Sequence, residues 1–341
     1  MRSNLERKRL RNAPTAGIVG GTAAWALSLS PAEAAWLRFK QNRAACIGGL
    51  FLLLTVSFVI LWPVFRAPGI ANWLPPSVTY APTALSNLQF AAPAAGHWFG
   101  TDVHGRDLLS RVVYGARISL LVGLVGAGVS LVIGVLWGAV AGYVGGRCDQ
   151  IMMRAVDVLY SLPSIVFVIV MITTLEELFK GWLAKVFSPE FAAMGRMLFL
   201  FAGLGSVSWL TMARIVRGQV LSLRNQNFVL ASLALGASHR RIIFRHILPN
   251  VGGVVIVYLT LTVPSIVLYE SFLSYLGLGI QPPQASLGSL IAEGASQINP
   301  IRIYWWLIAF PGGFLAALLL ALNFLGDGLR DALDPRAAER R

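Results

Sequence analysis

The chain has 341 residues, of which 56% are hydrophobic and only 13% are charged, and its formal net charge is +13. A soluble domain contains about 25% charged residues, so this composition indicates a membrane protein. The basic charge does not indicate nucleic-acid binding, because the arginines lie between apolar segments and do not form one aromatic-rich basic patch. Arginines that flank spans on the cytoplasmic side explain the charge better.

Six apolar segments are long enough to cross a bilayer as helices, which takes about 20 residues each. They cover residues 44–65, 118–143, 158–174, 197–213, 252–269 and 303–325. With the N-terminus inside, the inner segments hold about 20 of the 28 Lys and Arg residues, which predicts that both termini are cytoplasmic. Trp62 and the aromatic run 304–306 then lie near outer span ends, where an interfacial aromatic belt is expected.

The N-terminus carries basic residues at 7–11, a weak apolar run at 16–29 and Ala32-Glu33-Ala34, a pattern typical of a secretory signal. Cleavage there would leave basic residues outside, directly before the first span, against the charge rule. The predicted organisation is therefore a cytoplasmic tail at 1–43, a first transmembrane helix at 44–65, an outer loop at 66–117, a five-helix core at 118–326 with an inner loop at 214–251, and a cytoplasmic tail at 327–341.

Small residues recur every four positions along the second predicted span. They are Gly126, Ser130, Gly134, Gly138 and Gly142. This spacing places them on one helix face and lets a neighbouring backbone approach closely. The stripe predicts a tightly packed helical bundle and does not by itself indicate transport.

The inner loop contains the most informative stretch, residues 227–250. Asn227 is a candidate N-cap for a short helix over 228–235, and Gly236 is well placed as its left-handed stop. Ser238 can cap a second short helix that ends before Pro249. The first helix presents an apolar patch that consists of Val229, Leu230, Leu233 and Ala234. The second helix has no acidic residue and carries Arg240, Arg241 and Arg245. A membrane-surface hairpin and a docking element for a soluble partner both fit, since amphipathic basic helices serve both purposes.

Catalytic motifs are absent from the sequence. There is no P-loop, and His97 and His104 do not have metal-ligand spacing. Cys46 and Cys148 are expected to be free thiols. The near absence of charges within the spans argues against an ion-coupled transporter, and Glu270, at a span end, is expected at the interface. We expect a non-catalytic chain that binds no cofactor and that receives energy from a docked partner.

The inner loop resembles the signature of ABC-importer permeases, in which E-A-A is followed three residues later by Gly and further on by H-x-L-P. The matching residues are Leu230-Ala231-Ser232, then Gly236, then His246 to Pro249. Leu230 replaces the glutamate and Ser232 the second alanine. Any salt bridge that this glutamate makes to an ATPase is therefore missing here.

Four further segments, in the same order, are similar to dipeptide and oligopeptide permeases. They are residues 30–43, 100–120, 270–283 and 326–335. The similarity covers nearly the whole chain and identifies it as resembling the C-type permease subunit of the peptide/nickel transport family.

This resemblance implies an all-α, six-span permease bundle in the bacterial inner membrane. The implied partners are a second homologous permease, two P-loop ATPases that use the ATP, an external solute-binding protein and membrane lipid, but no nucleic acid. The implied ATPase-coupling residues are Asn227, Phe228, Val229, Leu230, Ala231, Ser232, Leu233, Leu235, Gly236, Arg240, Arg241, His246 and Pro249. The implied outer mouth comprises Thr101, Asp102, Arg106, Asp107, Glu270, Gly277, Gly279 and Gln281.

Several alternatives stay open from the sequence. The segment 101–107 can instead be a structural turn network, in which Asp102 and Asp107 cap helices and Arg106 pairs with one of them. The solute can be a peptide or another small solute such as a nickel complex. A self-sufficient secondary transporter or channel would need an inverted repeat or midplane ionisable residues, which the sequence lacks. A membrane scaffold would keep the docking loop without a conformational cycle.

Overall fold

The computed structural model describes residues 31–186, 189–282 and 284–333, and the regular elements within these ranges are helical. The signal-like run at 16–29 and the C-terminal tail beyond 333 lie outside the described residues. The longer helices, in chain order, are α1 Pro31–Gln41, α2 Arg43–Phe65, α3 Leu108–Val144, α4 Gly146–Tyr160, α5 Ser164–Val186, α6 Pro189–Leu223, α7 Asn227–Ala234, α8 His239–Tyr275, α9 Leu287–Ser296 and α10 Trp306–Leu333. The predicted all-α class is confirmed for this part of the chain.

Four of these helices, α2, α3, α8 and α10, are long and apolar enough to cross a membrane. A bent pair, formed by α4 and the first half of α5, raises the number of candidate spans among the described residues to five. The predicted fourth span, 197–213, falls inside α6, which has 35 residues. The fold is therefore that of a multi-span helical protein, and the number six stays a prediction.

The helix that contains the second predicted span begins at Leu108, so the last part of the predicted outer loop is helical. Asp107 caps this helix, because its Oδ2 accepts the backbone N–H of Ser110 at 2.8 Å. The first turns contain Arg111, which breaks the apolar pattern in the sequence. Arg111 is nevertheless only 3% exposed, because ion pairs satisfy its guanidinium group within the fold.

The predicted third span, 158–174, is wrong as one continuous helix. Helix α4 ends at Tyr160, α5 begins at Ser164, and the axis turns by 93° between them. Pro163 lies in the break, and its carbonyl accepts the N–H of Phe167 at 3.0 Å. A proline fits the first turn of a new helix but removes a hydrogen bond from a helix interior, so the chain bends here.

The small-residue stripe lies where α3 crosses its neighbours, as predicted. A Cβ atom on Gly134 would lie 2.6 Å from the Cβ of Met212 in α6. A Cβ atom on Gly126 would lie 3.1 Å from the side chain of Ile266 in α8. Side chains larger than glycine would push these helices apart, so the stripe determines how closely α3, α6 and α8 pack.

Helix α8 differs from the prediction of a short helix that ends before Pro249. It runs from His239 to Tyr275 with a π-helical stretch at Ile242–Ile247. Proline lacks the N–H that an α-helix interior requires, and Pro249 is placed in the first turn after the wider π turns, where that loss is tolerated. The last part of the inner loop, from His239, and the fifth predicted span are thus one helix.

The predicted aromatic belt is wrong for two of its members. Trp62 is 4% exposed and packs against Val78, Leu109 and Val113. Trp306 is 7% exposed, and its Nε1–H donates to the carbonyl oxygen of Thr101 at 3.3 Å. The outer segment folds back over the span ends and covers these rings, so they stabilise the outer face of the bundle.

Candidate functional site

Helix α7, in the inner loop, turns one residue inward and several outward. Val229 is fully buried against Ile242 and Ile247 of α8, which anchors α7 to the bundle. The exposed apolar side chains of α7 and its C-cap, with their exposed fractions, are Phe228 40%, Leu230 51%, Leu233 40% and Leu235 89%. The predicted apolar patch is therefore present, with Val229 turned inward and Phe228 and Leu235 added.

The start of α7 corrects one prediction. The helix already includes Asn227, and the N-cap is Gln226, whose side chain makes no capping hydrogen bond. Asn227 cannot cap a helix in which it is itself the first residue. Tertiary anchoring by Val229 therefore stabilises the start of this short helix in place of a side-chain cap.

The end of α7 matches the prediction. Gly236 has a φ of 80°, in the left-handed region. Its N–H donates to the carbonyl oxygen of Leu233 at 2.9 Å, and the N–H of Ala237 donates to that of Ser232 at 3.0 Å. Ser238 then caps α8 by accepting the N–H of Arg241 at 3.4 Å. Gly236 thus sets the angle between α7 and α8.

The remaining inner-loop residues form a polar border around α7. Arg240, Arg241 and Pro249 are exposed, and His246 is half-buried. Ser232, in the place of the signature's second alanine, donates to the carbonyl oxygen of Phe228 at 2.8 Å and is satisfied within α7. An apolar centre with a basic border is the surface that a soluble partner with an acidic or mixed rim would bind.

The outer segment 97–111 is built around two buried carboxylates. Asp102 Oδ1 accepts the N–H groups of His104 and Arg106 at 2.8 and 2.9 Å. Asp102 Oδ2 accepts the guanidinium groups of Arg106 and Arg111, each at 2.6 Å. Burial alone would raise the pKa of Asp102, but the backbone hydrogen bond from Arg106 and the two positive charges outweigh it and hold this pKa below its ordinary value.

Asp107 forms the second centre of this segment. Its Oδ1 lies 2.9 Å from Nδ1 of His97, while its Oδ2 caps α3. Burial raises the pKa of Asp107 above its ordinary value, against the lowering effect of the Ser110 and His97 hydrogen bonds. Thr101, fully buried, ties the preceding turn to this segment by accepting the N–H of Ala91 at 2.8 Å.

This geometry matches in part the turn network that the sequence left open as an alternative: Asp107 caps a helix and Arg106 pairs with Asp102, but Asp102 bonds the N–H groups of a turn and not of a helix. Thr101, Asp102 and Asp107 are 0%, 4% and 2% exposed, so their side chains hold the segment together. Glu293 of α9 extends the network, since its carboxylate accepts Arg111 at 2.6 and 3.0 Å. Sequence reasoning missed Glu293 as a functional residue, because 182 positions separate it from Arg111 and no local motif marks it.

Glu270 is fully buried, so the predicted interfacial placement is wrong. Its carboxyl group accepts the hydroxyl of Ser274 at 2.6 Å and that of Ser119 at 3.1 Å. Ser286, at the start of α9, donates to the Ser274 hydroxyl at 3.2 Å. These serines satisfy the carboxyl group in the interior, and Glu270 thereby links α3, α8 and α9.

The last outer-mouth candidates follow the end of α8. Gly277 has a φ of 78° and is exposed. Gln281 Nε2 donates to the carbonyl oxygen of Gly277 at 2.7 Å, which closes a tight turn. Gly279 is buried, and any side chain there would meet Ser274. Of the eight residues predicted for the outer mouth, Gly277 is exposed, Arg106 and Gln281 are half-buried, and the other five are buried.

The fold and these two sites define a multi-span helical membrane protein that has a short helix with an exposed apolar face and, apart from it, a segment cross-linked by buried ion pairs. The chain belongs to the family described as binding-protein-dependent transport system inner membrane component, which matches residues 134–339. Residues 30–91 match the N-terminal TM domain of oligopeptide transport permease C. The predicted resemblance to peptide permeases is confirmed, and the protein is a multi-pass component of a bacterial inner membrane.

Curated relatives are similar over most of the chain. The oligopeptide transport system permease protein OppC of Haemophilus influenzae is 44% identical, covering 88% of this chain and 86% of that protein. The dipeptide transport system permease protein DppC of Bacillus subtilis is 42% identical, covering 91% of this chain and 87% of that protein. An inward-facing MetNI methionine ABC transporter structure has a TM-score of 0.51 at 20% identity, covering 67% of this chain and 98% of that one, which shows a shared fold.

Proposed function

We propose that this chain is the transmembrane permease subunit of an ATP-driven peptide importer and forms half of the translocation pathway with a second homologous permease. Relatives that are more than 40% identical carry the names of oligopeptide and dipeptide permeases, which supports peptides as the solute. The chain itself binds no cofactor. Two P-loop ATPases would use the ATP in the cytoplasm, and an external binding protein would deliver the peptide.

The observation that carries this proposal is the exposed apolar face of α7. Leu230 and Leu235 are 51% and 89% exposed on a short helix that lies in a loop between membrane spans. Burying a leucine side chain contributes about 1.5–3 kcal/mol, so a partner that covers this face gains substantial binding energy. Leu230 occupies the place of the signature's glutamate, which means that docking here rests on apolar contact and not on a salt bridge at that position.

Docking would couple ATP hydrolysis to transport through the anchored helix. Val229 ties α7 to Ile242 and Ile247, and these residues belong to α8. A displacement of α7 by the closing ATPases is therefore passed directly to a membrane-spanning helix. The bundle would then switch between inward-open and outward-open states, with nucleotide as the ligand that favours one of them.

The test is a pull-down of the tagged chain from its native membrane in mild detergent. Leu233→Asp combined with Leu235→Asp should lose the ATPases, because two charges enter an apolar interface, while the second permease is still recovered. Ile298→Asp is the matched control, since Ile298 is 65% exposed but follows α9 at the other end of the bundle. Equal recovery of ATPase from both variants, or recovery of the chain alone from the unmodified membrane, would contradict the proposal.

A further inference from the structure

A groove of about 430 Å³ lies between the α4–α5 corner, α6 and α8. Residues from 159–167, 207–211 and 258–269 line it, and none of the lining residues is charged. Its volume falls within the range of about 300–1,000 Å³ that small-molecule sites occupy. The groove is separate from the inner docking face and from the outer ion-pair network.

Hydroxyl groups follow one face of α8 along this groove. Tyr258, Thr262, Ser265 and Tyr269 recur at intervals of four, three and four residues, which places them on the same side of the helix. Tyr258 is 37% exposed, and Ser265 is also exposed. Tyr160 and Thr211 add hydroxyls from the opposite wall.

These hydroxyls supply both hydrogen-bond donors and acceptors. Thr262 donates to the carbonyl oxygen of Tyr258 at 2.7 Å, and Ser265 donates to that of Leu261 at 3.3 Å, so both keep acceptor lone pairs for the groove. The hydroxyls of Tyr258 and Tyr269 make no hydrogen bond with another described residue, and each can donate. The two tyrosine hydroxyls would be unfavourable if they faced lipid hydrocarbon without a partner, so the groove favours a polar occupant.

The charged residues nearest to the groove, Arg214 and Asp157, lie at its inner end and pair with each other. The guanidinium group of Arg214 lies 4.2 Å from the centre of the Tyr160 ring and is paired with Asp157 at 2.7 Å. The groove itself therefore presents no fixed charge that would hold a peptide terminus or an ionised side chain. Several weak contacts in place of one strong site allow a solute to enter and to leave.

We propose that this hydroxyl-lined groove is the chain's half of the solute path, and that it binds the main chain of a peptide. A peptide presents N–H and C=O groups at every residue whatever its side chains are, and the groove offers matching acceptors and donors. This recognition tolerates different side chains and requires no charge complementarity. The inference rests on the proposed function for the nature of the solute but not for the presence of water in the groove.

The first experiment measures water access in the assembled transporter in membrane vesicles. After Cys46→Ser and Cys148→Ser, the variants Thr211→Cys and Ser265→Cys should react with a charged, water-soluble methanethiosulfonate in at least one nucleotide state, because thiolates form in water. Ile256→Cys is the matched control, since Ile256 is 48% exposed on the opposite face of α8 and should stay unreactive in lipid. Absence of reaction at both groove positions in every nucleotide state would overturn the proposal and leave a lipid-covered or partner-covered surface.

The second experiment tests the peptide. Trialanine delivered with the binding protein and ATP should slow the labelling of Thr211→Cys. Tyr258→Phe combined with Thr262→Val should lower trialanine uptake by about three- to tenfold, the loss expected for ordinary hydrogen bonds. Thr173→Val is the control, because Thr173 is exposed outside the groove and its hydroxyl donates to Ile169 of its own helix.

The outcomes separate the two proposals. If the unmodified complex takes up trialanine but neither groove cysteine is labelled, the proposed function stands and the groove is not part of the solute path. Groove labelling without trialanine uptake or protection would keep the groove as a water-filled path and contradict its role in binding a peptide main chain.

Discussion

At the scale of single residues, Asp102 shows how one carboxylate organises an outer segment. It accepts two backbone N–H groups and two guanidinium groups, and it is 4% exposed. Removing one member of such a buried network leaves charges without partners, which costs more than the net stability that the intact pairs contribute. Asp102 is therefore a sensitive position because four groups of the segment depend on its carboxylate.

Asp102→Asn should lower the stability of the outer segment by about 1–3 kcal/mol, because the amide keeps the size of the side chain but removes its charge. Thermal unfolding of the purified complex and protease cleavage within 97–107 would measure this loss. Asp157→Asn is the control: its pair with Arg214 is 56% and 41% exposed, so its loss should cost about 0–1 kcal/mol. Equal effects of the two substitutions would show that burial does not strengthen the Asp102 network.

The stability difference between wild type and Asp102→Asn should depend on pH, because the pKa of Asp102 is lowered in the folded state. A carboxyl group whose pKa is lower in the folded state than in the unfolded chain contributes stability that is fully present above its ordinary value of 3.8. That contribution is lost as the pH falls through the folded-state pKa. The stability difference between wild type and Asp102→Asn should therefore be constant near neutral pH and shrink below pH 3.8. A difference that shrinks already between pH 7 and 5 would contradict this assignment.

Local features could be predicted at this scale, and distant ones could not. Gly236 was recognisable because a helix stop is encoded by a few adjacent residues. The role of Glu270 could not be predicted, because its partner Ser119 lies 151 positions away. The sequence alone also does not distinguish a glutamate buried at a span end from one at the membrane interface. Asp107 lies between these cases, since its capping contact is local and its contact with His97 is not.

At the scale of elements, the link between α7 and α8 depends on the backbone of Gly236. No atom lies within 4 Å of a Cβ added there, so the main cost of substitution is the conformational cost of a positive φ. A β-branched residue in this conformation is strained, whereas asparagine adopts it more readily than other side chains. Comparing a β-branched residue with asparagine at position 236 therefore tests the backbone geometry of the link, because both residues add a side chain to the same exposed surface.

Gly236→Val should reduce coupling between ATP hydrolysis and uptake, because about 1–2 kcal/mol of backbone strain favours a different angle between α7 and α8. Gly236→Asn should retain most of the coupling. The measurement is the number of solute molecules taken up per ATP hydrolysed in reconstituted vesicles, with the recovery of the complex checked in parallel. If both variants behave alike, the left-handed stop does not determine the coupling.

The crossing of α3 and α6 provides a second prediction. Gly134→Val should destabilise the chain by about 1–3 kcal/mol or more, because the added methyl groups meet Met212 at the helix crossing. Gly128→Val in the same helix is the control, since no atom lies within 4 Å of a Cβ at that position. Thermal unfolding of the purified chain would compare them. Equal stability would show that the stripe is not a packing constraint.

The boundaries of the helices were predicted less well than their apolar centres. The apolar core of α3 was recognised, but its first turns were not, because ion pairing of Arg111 with Asp102 and Glu293 lets an arginine enter a buried helix. The break between α4 and α5 could have been predicted from Pro163, since a proline inside a candidate span predicts a bend. Hydropathy alone merged the two helices into one segment.

At the scale of the whole molecule, the arrangement across the membrane is a prediction from the distribution of charge. The predicted cytoplasmic location of both termini requires an even number of spans, and the described helices provide four or five candidates before α6 is counted. A fluorescent protein fused after Arg341 should therefore be fluorescent in the cytoplasm, and alkaline phosphatase inserted after Ile298 should be active outside. Phosphatase activity of the C-terminal fusion would contradict the six-span topology.

The length of α8 and the position of its crossing with α3 determine how far its two ends can move. At 1.5 Å per residue it is a lever about 55 Å long, and its close crossing with α3, at Gly126 and Ile266, lies near the outer end. The inner arm, from His239 to the crossing, is about 40 Å, and the outer arm is about 14 Å. Tilting about this fulcrum would move the inner end about three times as far as the outer end and in the opposite direction, so a small closing movement outside accompanies a wide opening inside.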